Sequence, residues 1–444
     1  MLEKADYVKI VRRPYPPLYA SSIFAGILNK ENYLGFISRP AELTQAIQSD
    51  YNFYYIRQER DEVGEATLRD WNSAQKIKNV NYILETRAKK LLVATRGSDV
   101  KRYLRAYARY AVAILPVQQV EEPIEREISK LLLEKVGTPK TRTILDKLNI
   151  PLRDNYYKRE EYDLVTSADL VRHVKKYVWL NSRYGQHQPY QLSEAEMRLG
   201  ILEKNSYLER RETEKEKIKQ TITEAKKVLG SSADYLVDLM QFVVYYRTRR
   251  TDILNRSSYE AYPLLNKYAR EQGLTSEQLL YCLADEVLRD DIPAKNILSE
   301  RVKGYDIYVE NGKLVCVHGQ QSKEVRKIFA QDLGNIKKIK GVVASPGWAT
   351  GRVKVVFTKK DLAEFKKGEI LVTSMTTPNM VMIMHQAAAI ITDEGGITCH
   401  AAIISRELQK PCIINTKIAT QVLCNGEEVQ VDANRGIARK LEHE

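Results

Sequence analysis

The feature that most constrains this chain is a change of texture at Gly341. From there on, glycine and proline punctuate short β-rich runs: GVVASPG, GRVKVVF, GEILVTS, AAIITDEGG, PCIINT and GEEVQVDANRG. Short runs rich in valine and isoleucine, closed off by Gly, Pro, Asn and Asp, read as strands. Two helices are expected among them, one after Pro378 and one over 399–408. Proline fits the first turn of a helix, where its missing N–H is not needed. Thr398 is the expected N-cap of the second helix. Alternating β and α elements over about 100 residues make a compact α/β domain of ordinary size.

The preceding stretch has a different period. LRDWNSAQKIKNVNYILETRAKKLLVA (68–94) and DVKRYLRAYARYAVAILPV (99–117) space their apolar residues by three and four, the signature of amphipathic helices. Ser193 with Glu196, and Thr275 with Gln278, have the spacing of capping boxes. Residues 207–230 read as a long charged helix laced with Glu–Lys pairs, its charges forming a solvated face. At 305–319 the pattern alternates around Asn311-Gly312, which predicts a β-hairpin. A short helix is expected over 322–333, and GNIKKIK (334–340), polar and aperiodic, is a linker candidate. The expected organisation is therefore multidomain. A mostly α-helical region covers 1–303, a hairpin, short helix and linker cover 304–340, and a C-terminal α/β (β/β/α) domain covers 341–444.

Composition removes several classes of function. The five cysteines (Cys282, Cys316, Cys399, Cys412, Cys424) are odd in number and form no CxxC pair. That pattern speaks against a disulfide framework or zinc knuckle and for a reducing, cytoplasmic setting. No run approaches the roughly 18 apolar residues of a membrane span, and the N-terminus has no apolar core resembling a secretory signal. The chain carries 70 Lys+Arg against 57 Asp+Glu, a net charge of +13. The basic residues are interspersed with acids and form no long like-charged run, so a nucleic-acid partner is not expected. Tyrosine outnumbers phenylalanine 27 to 7. Such residues suit half-buried helix faces and ligand clefts alike, and composition does not choose between them.

The densest chemistry lies in Thr392-Asp393-Glu394-Gly395-Gly396-Ile397-Thr398-Cys399-His400-Ala401-Ala402. A buried strand ends in an acidic Gly-Gly turn, and the chain then enters a helix whose first turn holds His400. Gly395 and Gly396 permit unusual backbone angles and close approach of another molecule. A helix start offers N–H groups and partial positive charge to an anion. It also biases an imidazole towards its neutral, nucleophilic form. Ala401 and Ala402 leave room beside the ring. Together these features describe a site for a transient phosphohistidine. Thr376 and Thr377 could line it from a second loop, or serve with Pro378 as an ordinary helix start. Arg406 could meet a phosphate or a docking partner, or form a surface ion pair. Glu407 lies about two turns along the same helix and reads as an orienting or salt-bridging residue rather than a catalytic one. Cys399 and Cys412 read as small core residues, and His385 as structural.

The string TDEGGITCHAAIISRELQKPCIINT (392–416), with GVVASPGWATGRV (341–353), GEILVTSMTTP (368–378) and GEEVQVDANRG (426–436), resembles the swivelling phosphohistidine domain of the phosphoenolpyruvate-utilising enzymes. That family includes phosphoenolpyruvate synthase, pyruvate phosphate dikinase, Enzyme I of the sugar phosphotransferase system and rifampin phosphotransferase. The resemblance implies that His400 carries the phosphoryl group, supported by Thr398, Gly395, Gly396, Thr376, Thr377 and Arg406. It marks Thr398 as a possible regulatory phosphorylation site. In the family an ATP-grasp domain or a phosphoenolpyruvate-binding TIM barrel exchanges phosphate with the histidine. This sequence shows neither a Gly-rich phosphate loop in its first 340 residues nor room for a barrel after Gly436. The implied partner is thus a separate ATP-grasp nucleotide-binding protein, with ATP and Mg²⁺ at its donor site and a small-molecule acceptor beyond. No metal ligands are evident in this chain. The rival reading is a non-catalytic relative that docks on or regulates a dikinase.

RRPYPPLYASS (12–22) and YVWLNSRYGQHQPYQLSEAE (177–196) also resemble helical segments of phosphoenolpyruvate synthase-like proteins, and two clusters in the helical region are candidate binding residues. Trp179, Tyr184, His187 and Tyr190 crowd a loop between helices, and Tyr245-Tyr246-Arg247-Thr248-Arg249-Arg250 is aromatic and basic. Either could line an acceptor pocket or dock a partner. Amphipathic packing with the arginine stems laid along apolar surface is the plainer account.

Overall fold

The computed structural model describes residues 6–33, 35–37, 45–183, 185–202, 204–310, 312–329, 336–377, 380–396 and 399–441. Its strands are β1 (Tyr7–Arg12), β2 (Ala46–Ser49), β3 (Asn52–Ile56), β4 (Tyr305–Glu310), β5 (Lys313–His318), β6 (Lys338–Lys340), β7 (Val342–Ser345), β8 (Trp348–Val355), β9 (Ile370–Thr373), β10 (Ala389–Thr392), β11 (Cys412–Ile414), β12 (Glu428–Asp432) and β13 (Ile437–Lys440). The chain divides into two compact units. One comprises Met1–Ser167, Ser182–Gln188 and Lys204–Phe329; the other comprises Ala168–Asn181, Pro189–Glu203 and Ala330–Glu444.

The first unit is mostly helical, but it contains three strands where the sequence predicted helix. Strands β1 to β5 form one antiparallel sheet in the order β1-β3-β2-β4-β5. The hairpin expected at 305–319 is present, and β4 extends the N-terminal sheet by pairing with β2. The β2–β3 connection explains why those strands were hidden. Ser49 pairs with Asn52 across a two-residue loop, Asp50-Tyr51, in which both residues have positive φ (45° and 63°). That is the turn an Asn-Gly pair would announce, but Asp-Tyr carries no such signal.

The predicted helix over 68–94 is two helices, Arg57–Asp70 and Ala74–Ala94. The break falls where Trp71 turns inward and donates its indole N–H to the Phe36 carbonyl at 2.7 Å, and Ser73 caps the second helix. The stretch 99–117 also splits, into Val100–Ala111 and Ile114–Gln119. Thr275 and Gln278 form the expected capping box, with reciprocal bonds of 3.1 and 3.0 Å. Ser193 and Glu196 do not. That helix starts at Leu192, so both lie inside it, and Glu194 instead accepts from the Gln191 N–H at 2.8 Å. Tyrosine is a core residue here: Tyr19, Tyr103, Tyr107, Tyr110 and Tyr246 are all fully buried.

In the second unit, residues 338–441 build an eight-stranded sheet in the order β6-β13-β12-β8-β9-β10-β11-β7. Strands β8 to β11 run parallel, and antiparallel pairs flank them. Successive side chains on a strand face opposite ways, and the core follows that rule. Leu371 and Ile390 pack with the helices Val381–Gln386 and His400–Glu407. Ile370, Val372, Ala389 and Ile391 pack with the helix Ala419–Val422 and strands β12 and β13. Covering on both faces is why β9 and β10 read as unbroken apolar runs rather than alternating ones.

The linker expectation at 334–340 needs correction for its second half. Lys338–Lys340 is β6, paired with β13, and the Gly341 N–H donates to the Gly436 carbonyl at 2.9 Å. Gly334 and Asn335 lie outside the described residues. The helix expected over 322–333 begins at Gly319 and runs to Phe329, with 330–333 also outside.

Candidate functional site

Ligand sites of open α/β sheets collect at the carboxyl ends of parallel strands, and the candidate residues gather there. Past β9 the chain gives Thr376 and Thr377; past β10 it gives Gly395, Gly396 and His400. The two loops continue the pairing of their strands for two residues. The Asp393 N–H donates to the Thr373 carbonyl (3.1 Å) and the Glu394 N–H to the Ser374 carbonyl (2.9 Å).

His400 is the first residue of the helix His400–Glu407 and is half-buried. Its Nδ1 lies 2.8 Å from the hydroxyl of Thr376, itself buried at 6% exposure. This joins the two loops at the histidine. The expected N-cap is corrected: Cys399 occupies that position, in extended conformation and without a side-chain cap bond. Thr398 lies outside the described residues. Thr377 contributes its carbonyl, which accepts the Met380 N–H at 2.9 Å, so it serves the start of the next helix; Pro378 lies outside the described residues.

The two glycines are not equivalent. Gly395 has φ +122°, and a Cβ there would stand 2.7 Å from the Cys399 sulfur. Both the angle and the contact demand glycine. A Cβ on Gly396 would meet nothing within 4 Å, so the space at that position is open.

Asp393 was part of the sequence string without a role, and the structure gives it one. It is buried at 2% exposure and its carboxylate accepts from the Thr416 hydroxyl (3.2 Å), the Thr420 N–H (3.1 Å) and the Thr420 hydroxyl. The Thr392 carbonyl accepts both the N–H and the hydroxyl of Thr416, each at 3.0 Å. The loop bearing His400 is thus tied to the Thr373–Ser374 segment on one side and the β11 loop on the other. A buried acid placed two residues before a Gly-Gly turn, with threonines after the next strand, is the signal that would have found it.

Arg406 donates to the Ala344 carbonyl at 3.2 Å, tying the far end of the helix to β7. Glu407 is the last helical residue. His385 sits on an exposed helix face. Burial raises both thiols above the ordinary range, Cys412 to about 12, which keeps them protonated.

The helical-region clusters come apart. Trp179 and Tyr190 are buried in the second unit, whereas His187 belongs to the first, stacked between the rings of Tyr259 and Tyr262 at 4.4 and 4.2 Å. Tyr184 lies outside the described residues. In the 245–250 run, Tyr245 and Tyr246 are core residues, Arg247 pairs with Glu121 and Arg249 with Glu85. Among the described residues no group of three or more His, Cys, Asp or Glu is arranged to hold a metal ion, and no helix is long and apolar enough to cross a membrane.

Residues 365–436, which hold this geometry, match the family described as PEP-utilising enzyme, mobile domain, so this part of the chain is similar to the phosphoenolpyruvate-utilising enzymes. Its particular likeness is to archaeal and bacterial phosphoenolpyruvate synthases. The probable phosphoenolpyruvate synthase of Archaeoglobus fulgidus is 40% identical over 170 residues, 38% of this chain and 23% of that protein. The phosphoenolpyruvate synthase of Pyrococcus furiosus is 54% identical over 136 residues, 30% of this chain and 17% of that one. That of Aquifex aeolicus is 36% identical over 136 residues, 30% and 16%. The matches thus span less than a quarter of the length of each of these relatives.

Proposed function

We propose that this chain is a phosphoryl carrier in which His400 Nε2 accepts a phosphoryl group and later surrenders it to a small-molecule acceptor. The observation that carries the reading is the 2.8 Å contact between Thr376 Oγ1 and His400 Nδ1. With the Nδ1 proton directed to the threonine oxygen, the lone pair of the neutral ring resides on Nε2. Attack by that lone pair forms the N–P bond as the P–O bond to the donor's leaving group breaks. Transfer onward breaks the N–P bond as an acceptor oxygen attacks phosphorus, and its proton leaves to a base. Dividing one difficult transfer into two is the logic of covalent catalysis. The helix N–H groups and the open Gly396 would receive the phosphoryl oxygens.

The donor would be ATP held with Mg²⁺ on a separate ATP-grasp protein, the metal neutralising phosphate charge there. Carrying the group between two sites requires the domain to turn, and the pivot would lie ahead of Lys338, where β6 begins. Thr398, two residues before His400 in the sequence, would be the residue at which phosphorylation controls loading.

The test is incubation of the full chain with candidate ATP-grasp partners and labelled ATP, followed by peptide mapping at mildly alkaline pH. Acid-labile label on His400 is the expected result. Label that persists in His400→Ala overturns the assignment. No label with any partner that loads an authentic phosphoenolpyruvate synthase would point to a docking relative instead.

A further inference from the structure

Positive charge is concentrated in one hairpin of the first unit, the helices Ala74–Ala94 and Val100–Ala111 with the loop between them. Residues 74–111 carry ten Lys and Arg against two acids, Glu85 and Asp99, and so hold more than half of the net charge of +13. The long helix Lys204–Leu229, by contrast, mixes eight bases with five acids. Over the whole chain acids interleave with bases, which hides this local excess. Both acids of the hairpin are engaged elsewhere. Glu85 accepts from Arg249 at 2.9 Å and from the Tyr246 hydroxyl at 2.7 Å, both on the helix Tyr235–Glu260. Asp99 caps the second helix, accepting the N–H of Lys101 and of Arg102 at 2.8 and 3.1 Å.

The excess lies on the solvent side. Lys78, Lys89 and Lys90 of the first helix and Arg102, Arg105 and Arg109 of the second are exposed, and none of the six forms an ion pair with a described residue. Tyr103, Leu104, Tyr107, Tyr110 and Ala111 bury the opposite side of the second helix. Arg102, Arg105 and Arg109 therefore stand in one line turned away from the core, spread over about 10 Å of helix. On the first helix Lys78, Tyr82, Lys89 and Val93 share a stripe by the same kind of spacing. Tyr82 is 73% exposed and Val93 56%. The two helices pack side by side, Arg87 Nη1 of the first donating to the Arg109 carbonyl of the second at 3.2 Å.

A surface of one sign across two helices calls for a complement whose opposite charge repeats along its length. A protein partner fits poorly, since protein interfaces are depleted of lysine and of charge at their centres. Nucleic-acid interfaces are far more positive, and a phosphate backbone carries its negative charge at every residue. Guanidinium forks match phosphate oxygens in pairs, and an exposed tyrosine ring is a face on which an unpaired base can stack. We propose that this hairpin binds single-stranded RNA, the arginine line following the phosphates and Tyr82 stacking on a base. The activity is separate from phosphoryl carriage by His400 and does not depend on it.

Fluorescence anisotropy of the full chain with a labelled oligouridine of about 12 nucleotides tests it. Saturable binding at low salt is expected, its log affinity falling linearly with log salt concentration. Arg102→Gln, Arg105→Gln and Arg109→Gln together should weaken binding about tenfold or more and flatten that slope by about 2, since each phosphate contact on a single strand contributes about 0.7. Tyr82→Ala should weaken binding about fivefold or more with the slope unchanged, because a stacked ring releases no counterion. Arg210→Gln, Lys217→Gln and Lys219→Gln remove the same charge from exposed positions of the helix Lys204–Leu229 and should change affinity by no more than about twofold. All the replaced side chains are exposed, so the melting temperatures should hold. Absence of saturable binding to the unaltered chain overturns the proposal. So do equal losses in the two triple variants, since affinity would then follow net charge alone. Displacement of the RNA by polyglutamate at equal charge concentration also overturns it, and would make the hairpin a dock for acidic protein.

Discussion

Strand β10 and the helix Tyr235–Glu260 are both deeply buried elements, yet they handle polar chemistry in opposite ways. β10 is Ala-Ile-Ile-Thr, buried at every position, and all its reactive neighbours come after its last residue. The helix keeps Arg250, Asp252, Asn255, Ser257 and Ser258 buried within its own length. In the strand the apolar run fixes register and the loop beyond it is left for function. In the helix the same turns that pack the core must also satisfy arginine and aspartate internally. A site at a strand end stays accessible at little cost to the fold. A polar stripe inside a helical unit is stabilising only when every group finds a partner.

That contrast can be broken at either side. The largest effect is expected at the strand-end site, where His400→Ala should abolish all acid-labile phosphoryl label. The circular dichroism spectrum and melting temperature should hold, because the ring is only half-buried at a helix start. A collapse of the fold would show that the site is not separable from its scaffold.

Next in size is a pH effect in the helical unit. Burial pushes the Asp252 carboxyl up to about 7. The folded state therefore holds that proton at pH values where the unfolded chain, titrating near 4, has lost it. Folded then binds more protons than unfolded, so this group's contribution makes stability fall as pH rises from about 4 to about 7. Its slope can approach about 1.4 kcal/mol per pH unit. Asp252→Asn should flatten that decline in denaturant titrations run across the window, and an unchanged slope would remove Asp252 as its source.

Gly395→Ala comes third. It forces a side chain into φ +122° and against the Cys399 sulfur, and should cost about 1–3 kcal/mol of stability. The smallest effect belongs to its neighbour. Gly396→Ala should stay within about 0.5 kcal/mol, because an added Cβ there meets nothing within 4 Å. Equal stability losses at the two glycines would mean the loop geometry around them is wrong.

How much of this was legible in advance follows from where each element keeps its information. The C-terminal strands could be read because both sheet faces are covered, which makes each strand a short apolar run with Gly or Pro at its border. His400 could be read because its string is long and ordered. The N-terminal strands could not, since β2 and β3 meet at Asp50-Tyr51, a turn whose positive φ values no glycine advertises. The break at Trp71–Ser73 was hidden by helical spacing that continues across it, and the tertiary hydrogen bond from Trp71 to Phe36 sets the turn together with the Ser73 cap. Thr376 is compatible by sequence with both a site-lining loop and an ordinary helix start. Its contact with His400 depends on β9 and β10 being neighbours, a relation that sequence separation does not disclose. The role of Asp393 is hidden for the same reason, its threonines lying 23 and 27 residues away.

One pairing has a bearing on how such a domain travels between proteins. β6 and β13, the first and last strands of the sheet domain, lie side by side, and Gly341 is hydrogen-bonded to Gly436. Entry and exit therefore share a single edge, so the fold behaves as a cassette: it can be spliced into a longer polypeptide with its interior untouched. Joining Lys440 to Lys338 through a short peptide and opening the chain at the exposed Asn425-Gly426 turn should give a circular permutant that still folds, its histidine in place.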